Sequence, residues 1–197
     1  MLLFQRFCGT FLVLLGQSFA SDADALGCKN CEVDFGRLDY RLRATAVVNA
    51  TFPEADEISL PTGEPPVATV YQDGEVIGYL YATYETVGAP GYAGEPFDVV
   101  AGVTVRAKIA GVSLLRHNEP IVKGNAPLER GLRNYLRDLK SLDILQPIKK
   151  PGGQGGRFHR GEVDSISGAT ISATLMHGAV VTAARTVARS RGLIGNI

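Results

Sequence analysis

The sequence predicts an α+β fold in which helices pack on an antiparallel sheet. An amphipathic helical pattern is followed by closely spaced β-branched runs joined by short turns, and two further helical patterns come after them. This order, with helices grouped before and after the strands, is typical of the α+β class. The 197 residues are enough for a single core, and 45% apolar residues exclude a disordered chain.

The first 20 residues have the pattern of an export signal. Arg6 precedes an apolar run within Thr10–Gly16, and the small residues Ser18 and Ala20 fit a cut after Ala20. An uncleaved membrane anchor is the alternative, but the run is shorter than the about 20 apolar residues that span a bilayer. We therefore expect a signal peptide at 1–20 and a periplasmic mature protein.

A polar lead-in, residues 21–34, contains the pair Cys28 and Cys31. An exported Cys-x-x-Cys pair forms a disulfide, a redox dithiol, half of a metal site or a haem attachment. The haem motif needs histidine at position 32, where this chain has Glu32. A local disulfide is favoured because the expected compartment is oxidising, and the working dithiol stays open as the alternative.

A helix and a hairpin are predicted at the start of the domain, which we take as residues 35–197. Apolar residues recur at helical spacing over Phe35–Ala50, and Pro53 ends that helix. Two β-branched and aromatic runs, Val67–Gln72 and Glu75–Tyr84, flank the dipeptide Asp73-Gly74. That dipeptide is typical of a two-residue hairpin turn.

The rest of the chain predicts two more strands and two more helices. The strands are Asp98–Val105 and Ile109–Arg116, and the helices are Leu128–Leu139 and Ala169–Arg191. Glycine, proline and polar residues predict connecting segments at 54–66, 86–96, 117–126 and 147–156. The tyrosines of the hairpin are expected to pack in the fold rather than bind a cofactor.

Charge and motif content exclude some function classes. The chain has 20 Lys and Arg against 20 Asp and Glu, and no basic cluster stands out, so nucleic acid is not expected as a partner. The sequence shows no nucleophile–base pair or cluster of metal ligands, which argues against a self-contained hydrolase.

The most informative stretch is DSISGATIS, residues 164–172. Ser167 is a candidate N-cap of the last helix, and Gly168 permits close approach of a ligand to the backbone. The unpaired amides and dipole of a helix N-terminus attract phosphate, and Thr170 places a hydroxyl in that first turn. An ordinary capped helix start is the alternative that these residues leave open.

The same stretch resembles the flavinylation motif of the FMN-binding domain family, which includes Rnf and Nqr electron-transport subunits and the NosR/NirI regulators. The matching residues are Asp164, Ser167, Gly168, Ala169, Thr170 and Ser172. The resemblance implies that Thr170 carries FMN through a phosphoester bond. It also implies a separate flavin transferase that attaches the group from FAD with magnesium.

Two further stretches resemble the NosR/NirI branch in particular, in which they lie near the flavin. Gly91, Tyr92 and Gly94 match a Gly-Tyr-x-Gly loop, and His117 and Glu119, followed by proline, match a His-x-Glu-Pro stretch. A tight loop and an aromatic ring suit a flat flavin, and hydrogen bonds from the second pair would tune its reduction. An ordinary loop and a surface histidine are the alternatives.

The resemblance implies an exported protein that holds covalent FMN and transfers electrons, an electron carrier rather than a turnover enzyme. It implies a redox partner protein, which the NosR/NirI setting places in a membrane. Two alternatives stay open, a redox-sensing regulatory module linked to nitrous-oxide reduction and a protein that binds FMN without a covalent bond.

Overall fold

The computed structural model describes residues 34–147 and 167–195. The predicted signal peptide, the Cys28–Cys31 pair and Asp164 lie outside these residues and stay predictions.

The described residues form one antiparallel sheet with helices on both faces, which confirms the α+β prediction. Its strands stand in chain order: β1 Glu57–Ile58, β2 Ala68–Gln72, β3 Glu75–Ala82, β4 Asp98–Thr104 and β5 Ile109–Arg116. The β5 bounds agree with the prediction. β1 lies in a segment that the sequence predicted as a loop. It was not predicted as a strand, because two residues are too few to show an alternating pattern.

The β2–β3 hairpin turns at the predicted dipeptide. Asp73 and Gly74 both have positive φ, at 51° and 79°, and Gln72 pairs with Glu75 across the turn. Positive φ at both central residues is the type I′ geometry, whose twist matches that of the flanking strands.

The first predicted helix is two helices in the structure, α1 at Leu38–Leu42 and α2 at Thr45–Thr51. Ala44 between them is extended, with φ −60° and ψ 130°. This break redirects the chain, so that Leu42 and Val47 are both buried in the same core cluster. Burial of both side chains therefore overrides the continuous helical spacing that the sequence shows.

Three more helices follow. α3 spans Thr83–Val87, where the sequence predicted the end of a strand, and Gly88 ends it in the left-handed region. α4 spans Ala126–Arg137, and the Asn125 side chain caps it by accepting from the Leu128 amide at 3.3 Å. α5 spans Ser167–Ser190. The sequence predicted Ser167 as the N-cap that precedes this helix. In the structure Ser167 is the first residue of α5.

The sheet separates two apolar clusters. On one face, α1 packs on β3 and α2 packs on β4 and β5. The Phe52 ring lies so close to Gly78 and Gly102 that a Cβ at either would be 2.5 Å from it. On the other face, α4 and α5 cover β3, β4 and β5, and the buried Tyr81 hydroxyl donates to the Val180 carbonyl at 3.0 Å. The packing of Tyr81 agrees with the sequence interpretation. Within the described ranges, no helix has the length and apolar character of a membrane span.

An ion-pair network fixes α1 against the sheet. The Arg41 guanidinium lies 2.7 Å from the Asp98 carboxylate at the start of β4 and also pairs with Glu85 of α3. The Asp98 side chain is 2% exposed. A buried carboxylate of this kind is stable only with a partner, so Arg41 holds three elements together.

Candidate functional site

A tight loop precedes β4 and contains the predicted Gly-Tyr-x-Gly residues. We call residues 91–95 the glycine loop. The Gly91 amide donates to the Glu95 carbonyl at 2.8 Å, and the Gly94 amide donates to the Gly91 carbonyl at 3.0 Å. Gly94 has φ 78°, a conformation that favours glycine. The loop therefore folds back on itself, and the Tyr92 side chain is 51% exposed.

Glu119 joins the glycine loop to α5. Its side chain is 2% exposed. One carboxylate oxygen, Oε1, accepts from the Tyr92 amide at 3.1 Å, and the other, Oε2, accepts from the Ser172 hydroxyl at 2.5 Å. Two hydrogen bonds offset the cost of burying a carboxylate, and bonds to a charged group contribute about 1.5–3 kcal/mol each. We call this arrangement the Glu119 clamp.

Gly91 leaves room for the clamp. A Cβ built at Gly91 would lie 1.9 Å from Oε1 of Glu119. Any side chain there would displace the carboxylate from the Tyr92 amide. The glycine is therefore required by the space that Glu119 occupies, a reason that the sequence alone did not give.

The start of α5 places its motif residues on different sides. Ala169 and Ser172 are buried, whereas Thr170 is only partly buried. The Thr170 carbonyl accepts from the Thr174 hydroxyl at 2.8 Å. Beside Thr170, Ile171 is 41% exposed, which leaves apolar surface open at this end of the helix. Ser167 and Gly168 belong to the first turn, and their side chains are outside the described part.

His117 lies next to the clamp at the end of β5. Its Nδ1 accepts from the Glu119 amide at 3.3 Å, so a neutral ring carries its proton on Nε2. Burial lowers the pKa of His117, Glu129 opposes that shift and Arg133 adds to it. His117 also lines a cavity of about 410 Å³ together with Phe35, Glu95, Pro96, Arg116, Asn118 and Lys123.

The structure thus brings together residues that are far apart in sequence. Gly91, Tyr92, Glu119 and Ser172 meet in one clamp, and His117 and Thr170 lie beside it on their chain segments. The role of each toward a flavin stays a prediction.

The sequence analysis did not single out His177 as a candidate site residue. His177, two turns after Thr170 on α5, is buried, and its Nδ1 lies 2.7 Å from the Tyr135 hydroxyl of α4. Burial lowers the pKa of His177 and raises that of Tyr135 to about 12. The sequence feature that could have indicated His177 is its seven-residue spacing from Thr170, which places both residues on one face of the helix.

Comparison with known proteins finds a family match and three relatives. Residues 91–185 match the family model of the FMN-binding domain. Protein NirI of Paracoccus denitrificans is 32% identical over 152 residues, which cover 76% of this chain and 21% of NirI. Regulatory protein NosR of Pseudomonas aeruginosa is 29% identical over 160 residues, or 80% of this chain and 21% of NosR.

A second regulatory protein NosR, from Stutzerimonas stutzeri, is 27% identical over 143 residues, or 73% of this chain and 19% of that protein. The chain spans about a fifth of the length of the curated relatives it matches. The matched segment 91–185 contains the glycine loop, the Glu119 clamp and Thr170. Residues 91–185 of this chain therefore match the FMN-binding domain, and the chain is similar to NirI and NosR over about three quarters of its length.

Proposed function

We propose that this chain holds FMN covalently on Thr170, through a phosphoester bond, and transfers electrons through that flavin. The observation that carries the proposal is the Glu119 clamp. It joins the glycine loop to α5 two residues after Thr170, inside the segment that matches the FMN-binding domain. The three matched motifs thus share one place in the fold.

The residues around Thr170 fit the chemistry of FMN. The first turn of a 24-residue helix offers amides and a dipole to a phosphate. Exposed apolar surface at Ile171 and the exposed Tyr92 ring suit a flat aromatic group. When bound, FMN supplies the redox chemistry, and the chain supplies attachment and orientation.

Each residue has a distinct proposed role. The Thr170 hydroxyl would be the attachment point, and the α5 first turn, Ser167 to Ala169, would hold the phosphate. Tyr92 and His117 would contact the ring. Glu119 and Ser172 are positioning residues, because the clamp occupies both carboxylate oxygens and the serine hydroxyl.

Attachment needs a second protein, for which we propose a flavin transferase using FAD and magnesium. The Thr170 oxygen forms the new bond to phosphorus, the pyrophosphate bond of FAD breaks and AMP leaves. The hydroxyl proton goes to base, and no electron is gained or lost. The protein therefore gains the mass of FMN less one water.

A regulatory role is the second candidate. Two of the relatives are named regulatory proteins, and they match 73–80% of this chain. In that role the flavin reports redox state to a membrane partner, in place of carrying electrons to an acceptor. Oxidation of the reduced protein by a purified partner at a turnover rate would favour the carrier over the regulator.

We also propose export, on the strength of residues 1–20. N-terminal sequencing of periplasmic protein should begin at Ser21. Recovery of the chain with Met1 in the membrane fraction would contradict this. Thiol labelling without reductant should leave Cys28 and Cys31 unmodified if they form the predicted disulfide.

The test of attachment uses wild type and four variants, each produced together with a flavin transferase. Wild type, Ser172→Ala and Thr174→Ala should each show flavin fluorescence in a denaturing gel, and Thr170→Ala should show none. Thr170→Ser should retain a weaker band, because it keeps the oxygen but loses the restriction on χ1. Fluorescence that persists in Thr170→Ala, or that is absent from wild type with flavin present in the native protein, would overturn covalent attachment at Thr170.

A further inference from the structure

One face of α4 carries a row of three arginines. Arg130, Arg133 and Arg137 are exposed, and their i, i+3, i+7 spacing places them on one side of the helix. They line a groove of about 400 Å³ between α4 and β5, which we call the arginine groove. Its other lining residues are Val112, Ser113, Leu114 and Asn134. The sequence interpretation found no basic cluster, because the three arginines are separated along the chain and meet only on the helix.

The described residues form no close ion pair with this row. Arg133 donates to the Leu114 carbonyl and Arg137 donates to the Asn134 side-chain carbonyl, which are both uncharged. No ion pair in the described ranges involves any of the three arginines, and no carboxylate in those ranges lines the groove. Like charges at this spacing repel one another weakly, and Glu129, four residues before Arg133, offsets part of that repulsion.

Acidic and basic residues are also concentrated in different segments of the chain. Residues 44–105, which include β1 to β4, contain nine acidic residues and no Lys or Arg. Residues 106–147, which include β5 and α4, contain eight basic residues and four acidic ones. A formal net charge of zero thus hides a basic segment that includes β5 and α4.

The arginine groove adjoins the candidate site. β5 forms one wall of the groove and continues directly into His117 and Glu119. Arg133 is close enough to His117 to act on it electrostatically. An anionic group held in the groove is therefore near the segment that carries the clamp.

We propose that the arginine groove docks an acidic, extended segment of a partner protein. Arg130 and Arg137 are about 10 Å apart along the helix axis, from a rise of 1.5 Å per residue. Carboxylates on one side of an extended strand repeat every ~7 Å, so two or three of them match the row. Guanidinium groups bind carboxylates through paired hydrogen bonds, so the charge of the row favours an acidic partner.

This docking does not depend on covalent flavin, so the two proposals fail separately. The probe is a short polyglutamate peptide with a fluorescent label, and binding is followed by anisotropy at low and high salt. We expect binding at low salt that weakens as salt is added. The double variant Arg130→Glu/Arg137→Glu should weaken binding about tenfold or more, because it places carboxylates against carboxylates. Arg133 is left intact because its guanidinium also donates a hydrogen bond to the Leu114 carbonyl.

The matched control is Lys140→Glu, an exposed cation just beyond α4 and outside the groove. It should weaken binding by about twofold at most, as expected for an exposed charge. Equal weakening by Lys140→Glu would overturn the groove as the site, and so would an absence of peptide binding. Equal or tighter binding of oligothymidylate, or salt-dependent self-association in place of peptide binding, would assign the groove to another partner. Urea unfolding of each variant checks that the charge changes leave the fold intact.

Discussion

At the scale of single residues, the site depends on how closely Gly91 and Glu119 approach. The glycine is needed for the space that the carboxylate fills, and its own backbone is in an ordinary region. The motif match predicted that both residues lie near the flavin. The structure adds that they are in contact with each other.

We predict that Gly91→Ala destabilises the fold by about 1–3 kcal/mol, because the new methyl group overlaps Oε1 of Glu119. Urea unfolding measures the change in the free energy of unfolding. The same substitution in a Glu119→Ala background should cost much less, since the carboxylate is gone. An additive double variant would contradict the contact, because residues that touch are expected to couple.

Ser172→Ala tests whether Ser172 stabilises the Glu119 clamp without being the residue to which flavin is attached. It removes the donor to Oε2 of Glu119 and leaves a buried carboxylate oxygen without that bond, which costs about 1–3 kcal/mol. Flavin should nevertheless remain on Thr170. Thr174→Ala is the control, because Thr174 is exposed and its hydroxyl donates to the Thr170 carbonyl, away from Glu119. Equal stability of the two variants would argue against the clamp.

At the scale of elements, Arg41 is the main electrostatic link between α1 and the sheet. Replacing it with alanine leaves Asp98 buried without its cation, and breaking a buried pair costs about 3–5 kcal/mol. Arg37→Ala is the matched control, because Arg37 pairs with Asp39 while 70% exposed, and it should leave the denaturant midpoint almost unchanged. Denaturant midpoints that fall equally in both variants would contradict this role.

The elements also show what the sequence could predict. The hairpin at Asp73-Gly74 and the strand Ile109–Arg116 follow from turn chemistry and alternation, which are local properties. The α1–α2 break does not, because it comes from packing Leu42 and Val47 against residues of distant strands. The Glu119 clamp is likewise a long-range contact: motifs predicted its members one by one, and no local pattern indicates that they bond to each other.

At the scale of the whole molecule, two histidines make stability depend on pH. Burial lowers the pKa of both His117 and His177 in the folded state. The unfolded chain then binds more protons once the pH falls below the ordinary histidine pKa of about 6.5. Their contribution to stability is therefore complete above that pH and is lost as the pH falls toward the lower folded values.

We predict that the urea midpoint decreases as the pH is lowered from about 7.5 to about 5.5, the range in which a histidine of ordinary pKa titrates. His177→Gln should flatten this dependence, because the buried titrating ring is gone. A midpoint that is constant or rises toward acid in the wild type would contradict the burial of neutral histidine.

The central claim is that Thr170 holds the flavin, and peptide mapping tests it most directly. Cleavage after Lys and Arg releases residues 161–185 as one peptide, which contains Thr170 together with Ser167, Ser172 and Thr174. In protein made with a flavin transferase, tandem mass spectrometry should place the mass of FMN less one water on Thr170. The same mass on Ser167, Ser172 or Thr174, or an unmodified peptide from protein whose native form is yellow, would contradict the claim.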